Sequence, residues 1–256
     1  MADGETNLLA VLIDADNVLA RHAPAILNEI TNYGEPALRR VYGDWSSPQL
    51  SAWKGMAREL GLVMHQQSAN TKGKNASDIG LVIDAMDILH QGKFDGFVLV
   101  SSDSDFTRLA SRIREEGLQV IGVGEAKTPD ALKRVCNRFI LIENIVADEE
   151  PAPPAAPAAK AAGAAGSSPA RPAPAGATTK QPPNKAIPLI RAAMKKIDPD
   201  AEWYSLGQIG QFIVKDNPDF DPRTYGSAKL SDLLAKTGRF EVTKGQGNHL
   251  LVRDLA

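Results

Sequence analysis

Two stretches, Leu9-Ala-Val-Leu-Ile-Asp14-Ala-Asp16-Asn17 and Phe97-Val-Leu-Val-Ser-Ser-Asp103-Ser-Asp105, decide how this chain is read. Each is a short run of strand-forming apolar residues that breaks into carboxylates. That is the pattern of a strand buried on both faces whose end emerges at a sheet edge. In an open parallel sheet, the carboxyl edge at the point where strand order reverses is the ligand crevice. Two such strands side by side would bring Asp14, Asp103 and Asp105 into one crevice.

The flanking sequence supplies the rest of such a sheet. Further apolar runs lie at Ala37 to Tyr42, Leu62 to His65, Gln119 to Val123 and Phe139 to Ile142. They alternate with helical patterns at Ala23 to Tyr33, Gln49 to Leu60, Ser77 to His90, Asp105 to Glu116 and Pro129 to Cys136. This alternation predicts an α/β fold with a parallel sheet. Gly34, Gly61, Gly92 and Gly117 are read as left-handed helix stops.

Asp78 opens the helix after Asn75-Ala-Ser77, where free backbone N–H groups and the helix dipole favour a carboxylate. Three or four converging carboxylates repel one another unless a cation neutralises them. Oxygen ligands without nearby histidine or cysteine favour Mg2+ or Mn2+ over zinc. Such ions lower the pKa of a water and clamp a phosphate, the chemistry of phosphodiester hydrolysis. Asn17 is either a simple helix cap or an amide placed to orient a water or Asp14. Lys72 and Lys74 either guide a phosphate backbone or belong to an exposed polar loop, and Ser101 and Ser102 are turn residues or phosphate donors. Taken singly, each strand-end aspartate also has a plainer reading as a turn or helix cap, and Asp84 and Asp87 read as solvated or supporting groups.

Composition bounds the remaining possibilities. The chain has 256 residues, 43% of them hydrophobic, and a net charge of -2, so any surface for a polyanion must be local. Its single cysteine, Cys136, excludes an internal disulfide and a thiolate zinc cluster, and fits a reducing compartment, hence the cytoplasm. The acidic start and the absence of a long apolar run argue against a signal peptide or membrane span. Residues 151–183 hold nine of the 17 prolines and almost no large apolar side chain, and read as a disordered tether. The expected division is 1–147, a linker at 148–184, and 185–256. The acidity sits in the first part: residues 1–148 carry 15 basic and 20 acidic groups, and residues 184–256 carry 11 and nine.

Leu-Ile-Asp14-Ala-Asp16-Asn17, Lys74-Asn-Ala-Ser-Asp78 and Val-Ser-Ser-Asp103-Ser-Asp105-Phe106, in that order, resemble the NYN domains of the PIN-like nuclease superfamily. The resemblance runs through most of residues 7–145. It implies a PIN-like Rossmannoid sheet flanked by helices and a metal-dependent ribonuclease site made by Asp14, Asp78, Asp103 and Asp105, with Asn17 alongside. The assignment of Asp78 and Asp105 leans on this resemblance more than that of Asp14 and Asp103.

The C-terminal part predicts three helices, Ile187 to Ile197, Leu206 to Val214 and Tyr225 to Leu234, then a two-strand wing at Arg239 to Thr243 and His249 to Val252. Trp203-Tyr-Ser-Leu206, Asn217-Pro-Asp-Phe220-Asp-Pro, Tyr225-Gly226 and Lys229-Leu-Ser-Asp-Leu-Leu234 resemble the LOTUS, or OST-HTH, winged helix. The likeness implies recognition of RNA or a protein partner, with Arg223, Lys229, Lys236 and Lys244 read either as candidate phosphate contacts or as basic residues scattered on a solvated face. The resulting expectation is metal-dependent hydrolysis of RNA, assisted by a tethered winged helix. Two alternatives stand beside it. One is a non-catalytic RNA-binding adaptor. The other is a haloacid-dehalogenase-like phosphatase, whose Asp-x-Asp motif is approximated by Asp14-Ala-Asp16.

Overall fold

A computed structural model describes residues 7–67, 76–146, 180–245, 247 and 249–255. Lys72, Lys74 and most of the Pro/Ala-rich segment lie outside the described residues. The first sheet comprises β1 (Leu8–Asp14), β2 (Glu35–Gly43), β3 (Val63–Gln66), β4 (Gly96–Val100), β5 (Gln119–Gly124) and β6 (Arg138–Leu141). All pairings are parallel, in the order β3-β2-β1-β4-β5-β6. The order reverses between β1 and β4, so the two acid-ended strands of the sequence lie side by side, with Ile13 opposite Val100.

Helices cover both faces because the central strands are apolar on both. One face packs under α1 (Ala23–Ile30), α2 (Ser51–Leu60) and α6 (Ile142–Val146), the other under α3 (Ala76–Gln91), α4 (Thr107–Glu115) and α5 (Asp130–Val135). Helix α1 buries Ala23, Ile26, Leu27 and Ile30, a spacing that puts all four on one face. Each large aliphatic buried this way contributes about 1.5–3 kcal/mol. Gly61, Gly92 and Gly117 are left-handed as expected. Gly34 is not: a Cβ there would lie 2.5 Å from the Asn7 carbonyl oxygen, so this glycine permits a close approach of two chain segments. Ile142 starts α6 and does not extend β6.

The C-terminal unit folds around a separate core containing Ile190, Ile209, Ile213, Leu233 and Val252. Its elements are α7 (Ile187–Ile197), β7 (Tyr204–Ser205), α8 (Leu206–Asp216), α9 (Leu230–Thr237), β8 (Phe240–Lys244) and β9 (Leu250–Asp254), with an antiparallel sheet ordered β7-β9-β8. The third helix begins later than its sequence pattern indicates. Residues Pro222–Tyr225 form a 3-10 turn that Gly226, at φ 72°, closes in the left-handed conformation. Residues Tyr204 and Ser205 add a short strand to the wing. The unit is also seated against the first sheet: the Phe139 N–H donates to the Pro218 carbonyl at 2.9 Å, and Asn144 Nδ2 to Thr224 Oγ1 at 2.9 Å. Among the described residues no helix is long and apolar enough to cross a membrane.

Candidate metal centre

Asp14 closes β1 at the reversal point and is 1% exposed. Its Oδ2 accepts hydrogen bonds from Asn17 Nδ2 at 2.6 Å and Ser101 Oγ at 2.8 Å, and its Oδ1 accepts the Asp16 N–H at 3.1 Å. Burial pushes the Asp14 carboxyl above its ordinary range, against the pull of these donors. The Ser101 hydroxyl in turn accepts the Asp103 N–H at 3.0 Å, which ties the end of β4 to Asp14. Asp103 Oδ1 accepts the Asp105 N–H at 2.9 Å and caps the 3-10 turn Ser104–Phe106. Capping and a place in the acid group therefore coexist in Asp103.

Carboxylate oxygens of Asp78, Asp103 and Asp105 lie within 4.8 Å of one another, a spacing one cation can bridge. Asp78 reaches them from the first turn of α3. Its carboxyl is pushed up to about 6, first by burial and then by the charges of Asp14, Asp103, Asp105 and Asp16. The group is all oxygen and crowded with like charge, which suits a hard divalent cation. Asp14 is not within that group of three. Its bonded oxygens place it as the buried neighbour of the cluster.

The other predicted residues divide. Asn17 donates directly to Asp14. Ser101 and Ser102 are both buried, and their hydroxyls are turned inward, Ser101 to Asp14 and Ser102 to the Glu125 N–H at 2.9 Å. Arg223 is no open phosphate contact: its guanidinium bonds Asp221 and, through both terminal nitrogens, Glu29 at 2.8 and 3.2 Å. Burial works against that charge, but the two carboxylates hold it well above the usual arginine range. Lys236 donates to the Gly226 carbonyl, whereas Lys229 is exposed at the start of α9. Asp84 is not a solvated acid. It pairs with Arg40 and accepts from the Tyr42 hydroxyl, both on β2, a role that sequence spacing gave no means of finding.

The OST-HTH/LOTUS domain model matches residues 178–252, and the NYN domain model matches residues 8–143, over half the chain. The chain belongs to the NYN family. NYN domains are nucleases of the PIN-like superfamily and LOTUS domains bind RNA, which removes the support for a dehalogenase-like phosphatase. Among solved structures, this NYN protein is similar to a Vibrio parahaemolyticus protein of unknown function, at 21% identity over 56% of this chain and 96% of that one, with a TM-score of 0.46. It is also similar to an uncharacterized Nitrosomonas europaea protein, at 34% identity over 37% of this chain and 93% of that one, with a TM-score of 0.26. No match was found among curated proteins.

Proposed function

We propose that this protein is a ribonuclease that hydrolyses RNA phosphodiesters with Mg2+ or Mn2+ held by Asp78, Asp103 and Asp105, and with buried Asp14 completing the site. The observation that carries this reading is the mutual approach of the three carboxylates within 4.8 Å beside a buried fourth. A divalent cation supplies charge neutralisation, a water of lowered pKa and a clamp on the scissile phosphate. The chain's own residues do the rest. Asn17 and Ser101 fix the Asp14 carboxylate by bonding the same oxygen, which holds it in one orientation, and its charge acts on Asp78 of the cluster. The Ser101–Asp103 and Asp103–Asp105 bonds fix the turn that carries two of the acids.

RNA is the substrate and the partner of the LOTUS domain, where Lys229 remains available to a phosphate; a protein partner is the other use of that surface. Cys136, a buried free thiol, fits a cytoplasmic setting. The test is incubation of purified protein with mixed RNA in Mn2+, Mg2+ or chelator. Asp103→Asn and Asp14→Asn should each lower cleavage about a hundredfold or more, because a weakened site forfeits several kcal/mol of charge stabilisation. Equal cleavage in chelator, or by the two variants, overturns the proposal. RNA binding without turnover by the intact protein in either metal would instead identify an adaptor.

A further inference from the structure

We propose that the LOTUS domain is a docked partner of the NYN sheet, latched by a reciprocal ion-pair network at the β6 edge, so that the two RNA-handling domains act with a fixed mutual orientation. Each side contributes one acid and one base. Arg223 of the LOTUS turn bonds Glu29 of α1 at 2.8 Å, and Arg138 of β6 faces Asp221 of the LOTUS turn at 4.0 Å. Paired this way, the charges cancel across the contact, and a shift of register would set like charges opposite each other, which gives such a network specificity. Arg223 grips Glu29 with two nitrogens, a planar fork that also fixes the angle of approach.

The network is backed by bonds that need no charge. Strand β6 is the edge of the six-stranded sheet, and an open edge exposes backbone groups that recruit unwanted strands. Here the Phe139 N–H is capped by the carbonyl of Pro218, a residue with no N–H of its own to extend the pairing. Asn144 of α6 and Thr224 close the contact a few residues further along both segments. The docking residues Pro218, Asp221 and Thr224 all fall in the segment between α8 and α9, and the first two lie within the Asn217-Pro-Asp-Phe220-Asp-Pro stretch that marks the domain in sequence. In this chain that stretch is engaged in the intramolecular contact, and exposed Lys229 at the start of α9 lies outside it.

The contact is polar and does not seal completely. A groove of about 600 Å3 runs beside it, lined on the sheet side by Tyr33, Gln119 and Arg138 and on the α8 side by Gln211, Val214 and Lys215. A polar, partly open interface of this kind is reversible and sensitive to salt. The inference does not rest on catalysis and stands or falls separately from the ribonuclease reading.

The test uses the full chain, with hydrogen exchange of the Phe139 amide and small-angle scattering as readouts, in wild type, Glu29→Lys and the milder Glu29→Gln. Wild type should protect Phe139 and scatter as a compact particle. Glu29→Lys should lower Phe139 protection about tenfold or more and enlarge the particle, while amides of β4 keep their protection. Raising salt from about 0.05 M to about 0.5 M should move wild type in the same direction. Fast exchange at Phe139 in wild type overturns the proposal, and so does equal protection in wild type and both variants. If Glu29→Lys also loses β4 protection, the decision falls to an Asn144→Cys/Thr224→Cys pair in a Cys136→Ser background: a disulfide that forms readily supports docking, and one that fails to form under oxidation overturns it.

Discussion

Asp78 carries the clearest conflict between stability and function. Its carboxyl is raised from 3.8 to about 6, so the folded protein holds this proton more tightly than the unfolded chain does. Folding is therefore favoured by this group below about pH 4, and that favour is lost as pH rises through 6. At neutral pH the ionised Asp78 is a net cost in metal-free protein, about 1 kcal/mol once solvent screening is allowed for. Asp78→Asn should accordingly raise the melting temperature of metal-free protein at pH 7.5 by a few degrees, and do little at pH 4.5. Added Mn2+ should stabilise wild type more than the variant, in a thermal scan with and without metal. Asn17 acts through its neighbour, since its amide bonds the buried Asp14 oxygen. Asn17→Ala should lower metal-dependent cleavage about 10- to 100-fold, with Asn17→Asp failing to rescue because it offers a second charge in place of a donor.

At the level of elements, the position of Asp78 depends on what anchors α3. Asp84 lies six residues further along that helix and is held to β2 by Arg40 and Tyr42. Burial pushes the Asp84 carboxyl up, but the hydrogen bonds from Arg40 and Tyr42 outweigh it and hold the group below its ordinary range. Its contribution has the opposite sign to that of Asp78: it is present above about pH 4 and is lost as pH falls through the depressed value. Tyr42→Phe should cost about 1 kcal/mol and Arg40→Met about 2 kcal/mol, the latter because it leaves a half-buried carboxylate without its cation. Urea unfolding followed by tryptophan fluorescence checks both. Asp84 was open to misreading in sequence because helical spacing distinguishes a solvated face from a buried one, but not an acid facing water from one facing arginine on another strand.

For the whole molecule, the separate C-terminal core predicts selective unfolding. Leu233 is fully buried there. Leu233→Ala should destabilise the LOTUS domain by about 2–5 kcal/mol. Hydrogen exchange should then rise across α7, α8 and α9 and at the Phe139 amide, while amides of β1 and β4 keep their protection. The sequence composition between the domains implied only a tether that raises local concentration. The contact between Glu29 and Arg223, 194 positions apart, has no signature in any window of the chain, since each residue alone reads as an ordinary surface charge.

Local rules of periodicity were enough to set out six strands and the helices between them, though not α6, most plainly at β1, β4 and β5, where burial on both faces demands continuous apolar runs, and enough to put Asp14 and Asp103 at strand ends. Left-handed stops at Gly61, Gly92 and Gly117 were equally legible, since the backbone conformation there is a property of the residue itself. Tertiary structure alone decided the pairings. It gave Gly34 a close approach in place of a helix stop, turned Ser101 inward to Asp14, neutralised Asp84 with Arg40, and joined Arg223 to Glu29. The reason is physical: periodicity encodes which side of an element is buried, whereas the partner of a charge is fixed only when distant elements pack and the low-dielectric contact forces each buried ion to find its complement.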